Sequence, residues 1–118
     1  MDLTFSDRYD FQPEWNDNLK NVKPVKVYCK YLTYPERERC KNIFAMQEND
    51  GTKKIQVKMD QPQMLNFAIE KIEGLKVNGK EIKSADDLLA SPRLTGLTNE
   101  IYEFVLEKEA KGQTDLIN

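Results

Sequence analysis

Cys29 and Cys40 are the chain's two thiols, and Asp86-Asp87 is an adjacent pair of carboxylates placed to act together; the 118 residues include no histidine. A thiol becomes a nucleophile when a neighbouring base or cation lowers its pKa. Without imidazole the commonest such base is missing, and with it the commonest zinc ligand. Cys29 falls on the apolar side of an alternating segment and Cys40 inside a charged one, so both read as structural or incidental thiols. Two thiols make no disulfide framework, and their spacing matches no metal motif. Asp86-Asp87 could share acid–base work in a cleft that perturbs them. Their position just after Ser84 explains them more simply, as first-turn acids that complement a helix dipole. Asp50 in the stretch ENDG starts like a calcium loop, but the EF-hand pattern fails within one step. Gly51, Gly74 and Gly79 follow turn logic and form no phosphate-binding loop. These residues predict no catalytic site, no metal site and no cofactor.

The elements that must carry these residues are of both kinds. Residues 25–32, VKVYCKYL, alternate as a half-buried strand. Thr33 with Glu36 three positions on forms a capping box, and Pro35 suits a first turn, so a short helix is predicted over about 34–42. Residues 43–47 and 54–59 flank the turn-prone ENDG, with Asp50-Gly51 as the hairpin signal. Together with residues 25–32 they predict a sheet of about three strands with one face wet. Pro62 opens a helix whose Met64, Leu65, Ala68, Ile69 and Ile72 recur at helical spacing up to a cap at Gly74. Asn78-Gly79 marks a second tight hairpin between Leu75/Val77 and Ile82. Ser84 and then Ser91-Pro92 mark two further helix starts. The last helix carries Leu97, Ile101, Phe104 and Val105 in one stripe, with Glu100, Glu103 and Glu107 turned to water. The fold class is α+β: a small antiparallel sheet of short strands and hairpins, with three to four helices, including an amphipathic C-terminal one. The organisation is an extended N-terminal arm over 1–24, one domain over 25–110 and a flexible tail over 111–118, where Gly112 acts as a breaker.

At 39% apolar and 32% charged residues, the chain has a thin core under a heavily solvated surface. The net charge of −2 conceals an uneven distribution. Residues 25–58 hold eight bases against four acids, while residues 59–118 hold seven bases against eleven acids. The basic middle could meet nucleic acid or its own acidic half. The acidic overall balance and the lack of any binding motif favour the second. No apolar run reaches membrane-spanning length. The opening residues lack the basic and apolar regions of a signal peptide, so residence in a reducing cytoplasm is expected.

Interaction therefore outranks chemistry. Phe11 and Trp15, beside the rigid Pro13, can bury large area at low entropic cost. Ile101 and Phe104 lie on the apolar stripe of the last helix. These four are the partner-binding candidates, although each could equally pack on its own domain. Lys26, Lys30, Lys54 and Lys58 form a third, basic candidate face.

The order of phrases adds a resemblance. FQPEWNDN, then a strand, then YLTYPERERC, then IEKIEGLKVNGKEIKSADDLL resembles small tail-region proteins of tailed bacteriophages and prophages, over about residues 11–107. Such proteins are described as tail assembly chaperones or small virion proteins. The resemblance implies a non-enzymatic protein of the bacterial host cytoplasm that binds and shields another tail protein, such as the long helical tape-measure protein. It carries over no active-site residue. Two alternatives stay open, a minor structural component of the tail or connector and a small nucleic-acid-associated regulator. The oligomeric state and the strand order are not determined by the sequence.

Overall fold

Strand β2 (Lys26–Lys30) sits at the centre of the chain's main sheet in the computed structural model, which describes residues 1–47 and 49–114. On one side it pairs antiparallel with β1 (Arg8–Phe11), Tyr9 facing Cys29 and Phe11 facing Val27. On the other it pairs antiparallel with β5 (Ile69–Glu73). Between them, helix α1 (Tyr34–Arg39) and a hairpin of β3 (Lys41–Gln47) and β4 (Lys53–Met59) follow β2, and helix α2 (Gln61–Ala68) leads into β5. A minimal hairpin, β6 (Lys76–Val77) and β7 (Lys80–Glu81), comes next, then α3 (Ala85–Leu89) and the long α4 (Thr95–Thr114). The fold is α+β, as its sequence predicts.

The core lies between the sheet and the helices. Val27 and Cys29 from β2, Ile69 and Ile72 from β5, Leu65 and Ala68 from α2, Leu88 from α3, and Leu97, Ile101 and Val105 from α4 are all buried. The opposite sheet face is polar. There Tyr28 lies under the ammonium groups of Lys26 and Lys71 and donates its hydroxyl to Glu73 at 3.1 Å, while Arg8 bridges to Glu70 at 2.8 Å.

The local signals behave as their chemistry demands. Thr33 and Glu36 complete the capping box in both directions, and the Ser84 hydroxyl accepts from the Asp87 amide. Asn78 and Gly79 both take positive φ, as a tight primed turn requires. Asp50 accepts from the amide and hydroxyl of Thr52 beside Gly51; Glu48, the first residue of ENDG, lies outside the described residues.

Several elements differ from the sequence reading. The segment 1–24 is no free arm from Arg8 onward, since it supplies an edge strand and a 3-10 segment over Trp15–Lys20. The Asn18 side chain, buried, fastens that segment by donating to the carbonyls of Pro13 and Val25 and accepting from the Val25 amide. Helix α2 stops at Ala68, and Ile69–Glu73 is strand. The hairpin β3–β4 does not join β2, because β1 and β5 already occupy both of that strand's edges. Helix α4 starts at Thr95, not at Ser91-Pro92, and runs through Gly112 to Thr114. One glycine costs a helix only about 1 kcal/mol, and Glu107 and Lys111 bridge this last stretch at 2.7 Å. The tail residues 115–118 lie outside the described residues.

Candidate functional site

The four partner-binding candidates pack onto the chain's own body, Phe11 and Phe104 against each other. Phe11 stacks on Phe104 with ring centroids 3.9 Å apart and planes 12° from parallel. Tyr9 meets the same Phe104 ring at 5.9 Å. Ile101 is 0% exposed. Trp15 packs against the core, and its indole lies so close to α4 that a Cβ on Gly96 would stand 2.9 Å from Nε1. The Glu14 amide donates to Glu100 at 2.6 Å, so Glu100 ties the turn before Trp15 to α4 instead of facing open water. These side chains dock the N-terminal strand onto its own helix.

The basic face divides into two places. Lys26 and Lys30 lie on the main sheet, near Asp10 and bridged to Glu36, whereas Lys54 and Lys58 lie on the separate hairpin. A single lysine surface does not form.

Both thiols are buried. Burial pushes the Cys29 thiol up to about 12 and raises that of Cys40. Protonated thiols are poor nucleophiles. Among the described residues no cluster of three potential metal ligands occurs, and no helix is long and apolar enough to cross a membrane. The Asp87 carboxylate accepts from the Lys83 amide at 3.1 Å, which holds it below the usual range, and the Asp87 amide donates to the Ser84 hydroxyl. It caps a helix, as its position suggests.

One polar residue placed among the core side chains escaped the sequence reading. Glu109, 4% exposed, accepts from the Leu32 amide at 3.0 Å and from Arg37 at 3.2 Å. It pins the far end of α4 to the corner between β2 and α1. Its spacing of four from Val105 and eight from Ile101 was the available signal: a carboxylate on the apolar stripe.

The β3–β4 hairpin gathers four of the chain's exposed large apolar side chains, Ile43, Phe44, Ile55 and Val57. Residues Lys41–Ala45 and Lys53–Lys58 are exposed on both faces. Ile43 is 70% exposed, Ile55 71%, Val57 54% and Phe44 47%. The register sets Ile43 opposite Val57 and Ala45 opposite Ile55, so these four share one face. Phe44 occupies the other face under the Lys58 ammonium. The radius of gyration, 17.2 Å, exceeds the roughly 13–14 Å of a compact chain of this length. The alternation of the hairpin residues predicts strands of the main sheet, but alternation alone does not reveal which sheet a strand joins.

No protein-family model, no curated protein and no solved structure matches the chain.

Proposed function

We propose that this chain is a non-enzymatic protein-binding domain that assists phage or prophage tail assembly by binding and shielding another tail protein, with the β3–β4 hairpin as its contact surface. The observation that carries the binding surface is the exposure of Ile43, Ile55 and Val57 on a two-stranded hairpin. A lone two-stranded hairpin is at best marginally stable in water and gains most from a partner on its apolar face. The non-enzymatic reading draws support from the burial of both thiols, which raises their pKa values away from those of a nucleophile. The tail-assembly role is supported by the order of the FQPEWNDN, YLTYPERERC and GLKVNGKEIKSADDLL phrases. Phe11, Trp15 and Phe104 then serve the binding surface indirectly, by holding the body together.

Tagged wild-type chain and an Ile43→Glu/Ile55→Glu variant, each purified from the lysate of an induced host, test this. A tail protein should accompany the wild type and be lost from the variant, while the variant keeps its thermal transition and the chain is missing from purified particles. Retention of the tail protein by the variant would remove the hairpin from the interface. Recovery of the chain within particles would make it a structural component instead.

A further inference from the structure

We infer that the occupant of the hairpin is an amphipathic helix of another protein, with an apolar stripe flanked by carboxylates. This rests on the hairpin being the binding surface. Strands β3 and β4 together carry Lys41, Lys53, Lys54 and Lys58 and no acidic residue, Lys41 also bridging to Glu38 of α1 at 2.8 Å. The pairs Ile43/Val57 and Ala45/Ile55 form the middle of one face, with Lys41 and Lys53 at its two ends on the same face. Lys54 and Lys58 alternate to the reverse face, where the Lys58 ammonium lies over Phe44. The result is an apolar centre with a basic border at its two ends. A bound segment needs the converse: apolar residues inward and carboxylates at the margin.

The dimensions select a helix. A seven-residue strand is roughly 23 Å long, the length of a helix of about 15 residues. At the foot of the hairpin, Lys41 and Met59 pair and both line a depression shared with Tyr34, Leu106 and Ala110 and with the charged Arg37, Glu38 and Glu109. The face therefore continues as a mixed trough onto α1 and α4. Addition of a strand at the β4 edge is less suited, because lysines along an edge strand discourage pairing there and β4 carries three.

A second copy of this chain fits poorly. Hairpin on hairpin sets one basic border against another. The chain's own amphipathic helix is not available either, since Leu97, Ile101 and Val105 are at most 1% exposed in its core.

The test uses the full chain and two labelled synthetic helical peptides of about 15 residues. Both carry the same leucine stripe, one flanked by glutamates and one by lysines. The glutamate peptide should bind at least roughly tenfold more tightly, its affinity should fall in high salt, and Ile55→Glu should weaken it by a similar factor without moving the thermal transition. Equal binding of the two peptides, or binding of neither, would overturn the helix assignment. If Ile43 and Ile55 still governed capture of a tail protein from lysate, the hairpin would stand as a binding surface with a different occupant. Sedimentation equilibrium showing a dimer that Ile55→Glu dissociates would assign the face to a second copy.

Discussion

Replacing Glu109 by Ala removes the buried carboxylate that joins α4 to the corner after β2. Its two oxygens divide the work, one accepting from the Leu32 amide at 3.0 Å and the other from Arg37 at 3.2 Å. Leu32 is 3% exposed, so its amide has no water to turn to, and a buried unpaired donor costs roughly 1–3 kcal/mol. The Arg37 side chain is 27% exposed and also donates to the Leu32 carbonyl. It can rehydrate in part, which holds its share to about 1 kcal/mol. With the lost packing of the glutamate stem, the total comes to about 3 kcal/mol. That is a large fraction of the roughly 5–15 kcal/mol available to a domain, and lowers the melting temperature by about 10 °C. Urea unfolding followed by far-ultraviolet circular dichroism gives the value directly. Glu109→Gln keeps an acceptor for Leu32 and should cost about half as much. If Glu109→Ala costs less than about 1 kcal/mol, or if the glutamine variant is as unstable as the alanine one, the clamp does not act as described.

Two further expectations follow from packing and protonation. Gly96→Ala would gain helix propensity, but its Cβ meets the Trp15 indole at 2.9 Å; the substitution should destabilise by roughly 1–3 kcal/mol, and in a Trp15→Ala background it should become neutral or stabilising, as a double-mutant cycle on thermal unfolding will read. The Cys29 thiol, raised by burial from 9.0 to about 12, stabilises the fold in its neutral form. That contribution is complete below pH 9 and is lost as pH rises toward 12, so the unfolding midpoint should fall over this window, and less steeply in Cys29→Ala.

The caps and turns were legible because each rests on one residue's own chemistry. Thr33 and Glu36, Ser84, and Asn78-Gly79 need only their immediate neighbours. The strand β5 was not legible, and the reason lies in its partner. Val27 pairs with Ile72 and Tyr28 with Lys71, yet Cys29 pairs with Ile69, leaving Glu70 as an extra residue. This bulge lets two isoleucines three positions apart both face the core from a strand, which is the spacing of a helix. Strand β1 was hidden by its length, since four residues give only two inward side chains, Tyr9 and Phe11. The binding candidates failed to separate for a related reason: an aromatic that anchors a partner and one that anchors its own N-terminal strand have the same composition. Only exposure distinguishes Phe11 and Trp15 from Ile43 and Ile55, and exposure depends on which strands claim the edges of β2.

The chain leaves the core at Cys40, 0% exposed, and returns at Asp60, whose amide donates to the Cys40 carbonyl at 2.6 Å. The excursion over residues 41–59 thus begins and ends at one point, and closing so short a gap demands little of what lies between. Such a segment is an insert: apart from Met59, which packs against the core at its foot, its length, twist and side chains can change while the remaining scaffold keeps the contacts that fold it. Selection can therefore act on the two parts independently, with one stable body carrying successive versions of the projecting ribbon.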